Sequence, residues 1–86
     1  MKYELSKHAE DELSLRQVPR TLLESVLENP QQIVPERRGR KAYQSQIDFG
    51  SGRIFLLRAI VDDTLEPAVV LTVYRTKRIK RYWRQT

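Results

Sequence analysis

The chain has no cysteine among its 86 residues. That excludes a disulfide framework and a thiolate zinc site. One histidine, His8, is too few for a histidine-rich metal site. The three glycines, Gly39, Gly50 and Gly52, fall in segments that read as turns, so no glycine-rich loop is present to cradle a phosphate. There is no carboxylate cluster suited to Mg²⁺ and no support for a nucleophilic triad. The expectation is a protein with no metal and no cofactor. Long apolar runs are also missing. The longest, Ile54–Val61 and Ala68–Val73, fall far short of the ~20 residues of a membrane span. The opening MKYELSKHAE lacks the apolar stretch of a secretory signal. A cytoplasmic protein with no membrane partner is expected, as one domain over residues 1–86.

Acidic residues are missing from one region. Up to Glu66 there are 10 Lys/Arg and 11 Asp/Glu; from Pro67 onward there are 6 Lys/Arg and no acid. The last 20 residues therefore hold the whole net charge of +5. A second basic cluster, RRGRK (Arg37, Arg38, Arg40, Lys41), lies mid-chain. Charge segregated in this way points to a polyanionic partner: nucleic acid, an anionic membrane surface or an acidic protein. The plainer alternative is a solvated basic face.

Two helices are predicted first. In SKHAEDELSLR, Ser6 can cap the N-terminus, and Leu5, Ala9 and Leu13 recur at four-residue spacing as a buried stripe. His8, Glu12 and Arg16 make a second, ionisable stripe beside it. PRTLLESVLENP is the second helix, with Pro19 in its first turn and Asn29-Pro30 stopping it. Thr21 and Glu24 also have capping-box spacing, which allows a start two residues later.

The remainder reads as sheet. QQIVPE is an edge strand, because Pro35 cannot donate a ladder hydrogen bond. RKAYQSQIDF alternates, RIFLLRAIV is apolar on both faces, and AVVLTVYRT is the last clear strand. Folding the hairpins about their turns puts Tyr43, Ile47, Phe55, Leu57, Ala59, Val61, Val69, Leu71 and Val73 on the face that takes the helices. Gln44, Gln46, Arg58, Thr72 and Tyr74 share the opposite face with Ile54, Leu56, Ile60 and Val70. Those apolar residues imply a cover, supplied by the chain's own tail or by a partner.

Three features carry chemistry. Arg58 lies in the most apolar strand, so it must be paired, hydrogen-bonded or facing a solvated groove. It is either a structural ion pair, with Asp48 or Glu12 as partner, or a guanidinium held to receive a phosphate bidentately. His8 is either a general acid or base or an ordinary helix residue. The tail, residues 75–86, interleaves cations and aromatics: Arg75, Lys77, Arg78, Lys80, Arg81, Tyr82, Trp83 and Arg84. That mixture suits single-stranded RNA, where phosphates need cations and unstacked bases need π-faces. Alternatively, Ile79, Tyr82 and Trp83 simply fasten the tail to the sheet. Any cleavage is expected to be metal-free, since RNA carries its own 2′-OH nucleophile.

LSKHAEDEL, LRQVPRTLLESVLENP and the stretch from LRAIVDD to VVLTVYRTKRIKRYW together resemble a domain-of-unknown-function family of the RelE/ParE toxin-like group. That group also takes in BrnT-type toxins and colicin-type ribonucleases. The matching features are His8-Ala9, Arg16, Asn29-Pro30, Arg58 and Thr72-Val73-Tyr74; Pro19 departs from the Ser or Thr common at its position. The resemblance implies an α+β fold, two N-terminal helices on one face of a twisted antiparallel sheet of about four strands. It implies an endoribonuclease of toxin type that cleaves by 2′-OH attack. His8, Arg58 and Tyr74 would be catalytic, and Arg16, Thr72 and the tail residues would hold RNA. The partners implied are RNA, including ribosome-bound mRNA, and a small acidic antitoxin. A non-catalytic RNA-binding or ribosome-associated module, or a toxin-like subunit of a protein complex, remains open.

Overall fold

The computed structural model describes residues 1–85; Thr86, the last residue of the predicted tail, lies outside them. A short strand β1 (Tyr3–Leu5) leads into helices α1 (Lys7–Leu15) and α2 (Arg20–Glu28). Strands β2 (Gln32–Pro35), β3 (Lys41–Asp48), β4 (Ile54–Asp62) and β5 (Ala68–Thr76) follow, and a one-turn helix α3 (Ile79–Tyr82) ends the fold. A 3₁₀ turn, Arg37–Gly39, links β2 to β3, with Arg38 and Gly39 both in the left-handed region at φ 60° and 72°.

The class is α+β, as expected, but the sheet is mixed and has five strands, in the order β1-β5-β4-β3-β2. β1 is the addition, and it pairs parallel to β5 through Tyr3↔Ala68 and Leu5↔Val70. Three residues are too few for period-2 alternation to register in sequence. Their position is fixed by the otherwise unpaired edge of β5. Ser6 caps α1 as predicted, accepting from the Ala9 N–H at 3.0 Å. Pro19 occupies the N-cap of α2 without a side-chain hydrogen bond, so the capping box from Thr21 is not used.

β3 and β4 pair in the predicted register, with Tyr43↔Ala59, Gln44↔Arg58 and Ile47↔Phe55. β4 and β5 keep the predicted faces only at one end, and even there Arg58, expected near Thr72 with Tyr74 further along, is shifted by two residues. Arg58 opposes Tyr74 and Ile60 opposes Thr72, but the next pair is Val61↔Val70, so Leu71 is the extra residue of a bulge. Beyond the bulge the faces exchange. Val70 and Ala68 are buried with the helices, whereas Val69 and Leu71, expected in the core, are only partly buried. The bulge is fastened from α1's cap: Ser6 donates its hydroxyl to the Leu71 carbonyl at 3.1 Å and its N–H to the Val70 carbonyl at 3.0 Å.

The main core lies between the helices and one sheet face. Ala9, Leu13, Leu23, Val26 and Leu27 pack there on Leu57, Ala59, Val61, Val70 and Val73. Leu57 is fully buried at its centre. Leu57→Ala is expected to cost about 2–5 kcal/mol, read as a lower urea midpoint.

The opposite face is buried too. Val34, Ala42, Gln44, Leu56 and Arg58 are all buried there, outside the main cluster. The C-terminal segment turns back over this face. Gln32 and Arg84 exchange two hydrogen bonds, from Gln32 Nε2 to the Arg84 carbonyl (2.8 Å) and from the Arg84 N–H to Gln32 Oε1 (3.1 Å). Gln44 Nε2 also donates to the Tyr82 carbonyl at 3.2 Å. The tail itself therefore covers the second face. β5 ends at Thr76, where the predicted strand AVVLTVYRT ends, so Arg75, also counted in the predicted tail, belongs to the strand. No helix among the described residues is long and apolar enough to cross a membrane.

Candidate functional site

Side chains alternate along β4, so Arg58, between Leu57 and Ala59 of the main core, points to the tail-covered face. It is 3% exposed and its guanidinium is engaged on three sides. Nε donates to Gln44 Oε1 at 2.8 Å, Nη1 to the Tyr74 hydroxyl at 2.5 Å, and Nη2 to Glu36 Oε2 at 2.9 Å. Tyr82 lies against it, with the guanidinium carbon 4.3 Å from the ring centroid. The ion pair anticipated for Arg58 exists, but its partner is neither Asp48 nor Glu12. It is Glu36, which the β2–β3 hairpin carries alongside. Glu36 precedes a loop, where no periodicity marks an orientation, so no residue pattern signals the pairing.

The same geometry acts on Tyr74. Burial pushes its phenol above the ordinary value near 10.0, and the neighbouring Tyr82 adds to this, against the pull of Arg58. The group stays protonated at neutral pH, a form able to donate a proton and not to accept one. Burial also raises the phenols of Tyr43 and Tyr3. A phenol raised in the folded state stabilises fully below the unfolded value, and that contribution is lost as pH climbs through the higher folded value. Stability is therefore expected to fall above pH about 10, followed by urea midpoints between pH 8 and 11, with Tyr74→Phe reducing the loss.

Beside Arg58 is a polar cleft of about 290 Å³, lined by Glu36, Arg58, Arg81, Tyr82, Trp83 and Arg84 together with Val34 and Pro35. A second, more apolar cleft of about 340 Å³ lies along β2 and its turn, walled by Ile33, Arg40 and Lys41. The two clefts share Val34, Pro35 and Glu36. The fold thus brings together the two basic stretches that the sequence keeps about forty residues apart. Lys41 is partly neutralised by Asp63 at 3.1 Å. Among the described residues no carboxylate lies within ion-pair distance of Arg40, Arg78, Lys80, Arg81 or Arg84.

The predicted site residues divide into separate groups. Arg58 and Tyr74 meet, and Thr72 lies two residues along the same strand face. Arg81, Tyr82 and Trp83 line the cleft, and Arg78 and Lys80 are exposed nearby in sequence. His8 does not join them. It is on α1, whose Ala9 and Leu13 pack on the other face of the sheet, and its side chain is 63% exposed. There the predicted ionisable stripe forms as its own group: His8 Nε2 is 3.4 Å from Glu12 Oε1, and Arg16 Nε donates to Glu12 Oε2. Arg16 is held by that carboxylate, away from the cleft. Arg75 also lies on the helix side, opposite Leu57, with its guanidinium over the Phe49 and Phe55 rings at 4.5 and 4.8 Å. Lys77 caps the Phe55 ring at 5.6 Å. Arg84, one of the predicted tail cations, also lines the cleft; sequence reading missed Glu36 as a member, and for Arg40 the signal was the RRGRK cluster.

The profile of a family described as a domain of unknown function, DUF4258, matches residues 5–75. The chain belongs to the DUF4258 family. The DUF4258 span includes Glu36, Arg58 and Tyr74 and stops before Arg78, so the arginines from α3 onward lie outside it. No curated protein and no solved structure matches the chain significantly.

Proposed function

We propose that this DUF4258 protein binds single-stranded RNA along the two clefts that flank Glu36. The observation that carries this reading is the meeting of two basic stretches on one surface, with Arg40 and Lys41 on one side and Arg81 and Arg84 on the other. Cations at intervals match a phosphodiester backbone, and Tyr82 and Trp83 among them offer faces for unstacked bases. A duplex, whose bases are already stacked, would make less use of those rings. The target includes ribosome-bound mRNA, and the protein acts in the cytoplasm.

The geometry favours holding over cutting. Attack by a 2′-OH needs a base within hydrogen-bond reach of it, and His8 is across the sheet. Arg58 is covered by Tyr82, and Tyr74 does not line the cleft but sits behind Arg58 and the Tyr82 ring. Fluorescence anisotropy with a labelled single-stranded RNA tests the reading. Binding in the micromolar range or tighter, unchanged within about two-fold in His8→Ala, is expected. Failure to bind at low salt overturns it.

One contact favours a second reading, a toxin-like endoribonuclease of the RelE/ParE group. Arg58 and the protonated Tyr74 are already hydrogen-bonded at 2.5 Å; with the tail displaced, Arg58 would hold the scissile phosphate, the Glu36 carboxylate of the same cleft would take the proton of the attacking 2′-OH, and Tyr74 would protonate the leaving oxygen. A small acidic antitoxin would then occupy the same basic surface. Cleavage of RNA in EDTA that Tyr74→Phe abolishes would establish this reading in place of the first.

A further inference from the structure

The polar cleft contains one group that RNA phosphates do not explain. Glu36 Oε2 accepts from Arg58, but Oε1 has no hydrogen-bond partner among the described residues, and the side chain is 32% exposed on the cleft wall. An ionised carboxylate is acceptor-only. It repels phosphate, which the Arg81 and Arg84 side chains of the same cleft attract instead. The position facing Oε1 calls for a neutral hydrogen-bond donor, and the cleft offers Trp83 as a stacking surface alongside.

Among the bases, cytosine presents an exocyclic amino group as a donor, the group that a carboxylate reads. Uracil has the same size and ring, but carries at that position an oxygen, which a carboxylate repels. We infer that the cleft is a base pocket that selects an amino-bearing nucleobase through Glu36, with cytosine preferred to uracil. This rests on the single-strand RNA reading above and adds a substrate class to it.

Trp83 is the only tryptophan of the chain and lines the pocket, so its fluorescence reports occupancy directly. Oligocytidine and oligouridine eight-mers are titrated into the wild-type protein at equal salt. A charge-assisted hydrogen bond predicts about ten-fold tighter binding of oligocytidine. Oligomers of N4,N4-dimethylcytidine, which lack the amino donors, are expected to bind no better than oligouridine. Because these arms change only the ligand, they do not depend on a variant folding. Glu36→Gln, whose amide can also donate, is expected to bring the ratio within about two-fold while binding persists. Equal wild-type affinity for the two oligomers overturns the pocket but leaves RNA binding standing. No binding of either oligomer overturns both.

Discussion

Arg58→Ala is expected to destabilise the protein by about 2–4 kcal/mol, because it empties a buried site and breaks three hydrogen bonds, while the carboxylate it leaves on Glu36 is partly exposed. The loss extends beyond one contact. Gln44, fully buried, loses the donor to its Oε1; Tyr74 loses the donor to its hydroxyl; Glu36 loses its counter-charge. Tyr82 loses the guanidinium beneath its ring, and with it the tail loses a principal attachment. Small domains have only about 5–15 kcal/mol in total, so the variant should lie near its unfolding threshold. Arg58→Lys should recover little, because an ammonium cannot reproduce a planar fork aimed at three acceptors. Urea denaturation followed at Trp83 gives two readouts: the midpoint, and an emission shift below the main transition if the tail leaves first. An Arg58→Ala midpoint equal to wild type would mean that the tail is held by its backbone contacts to Gln32 and Gln44 alone.

The face of the sheet that Arg58 occupies was legible in the sequence, and its surroundings were not. Alternation along β3 and β4 is regular, so folding about Gly50–Gly52 was enough to put Gln44 against Arg58. The same rule failed on β5. A bulge adds one residue without changing the apolar character of the run, and AVVL reads equally well in either phase. What settles the phase is Ser6, some 65 residues away, which takes the Leu71 carbonyl. The site shows the same division. Arg58 and Tyr74 were found because strand periodicity carries direction, whereas Glu36 and Arg40 flank a turn with two left-handed residues, where side-chain direction comes from backbone geometry that composition does not encode. His8 was grouped with Arg58 by resemblance, and the layering of helices on the face opposite Arg58 separates them. A charge count treats the tail as one basic segment, but the fold divides it. Arg75 and Lys77 lie on phenylalanines toward the helix side, and Arg81 and Arg84 lie on the cleft.

That division gives the RNA reading its sharpest test. If Arg40, Arg78, Arg81 and Arg84 each neutralise one phosphate, the logarithmic salt slope for a single strand is about −3, and affinity should fall on the order of 50-fold between about 50 and 200 mM salt. Removing one cleft arginine, as in Arg81→Ala or Arg84→Ala, should flatten the slope by about 0.7. Arg75→Ala removes the same unit of charge from the same stretch of sequence, but from a guanidinium seated over Phe49 and Phe55. Its slope should match wild type. Binding driven by net charge alone would respond to all three variants alike, because each lowers the total of +5 by one. Binding on the cleft would respond to two of them. Anisotropy titrations at four salt concentrations for the three variants separate these outcomes. Identical slopes throughout would reduce the basic surface to a general attraction for polyanions.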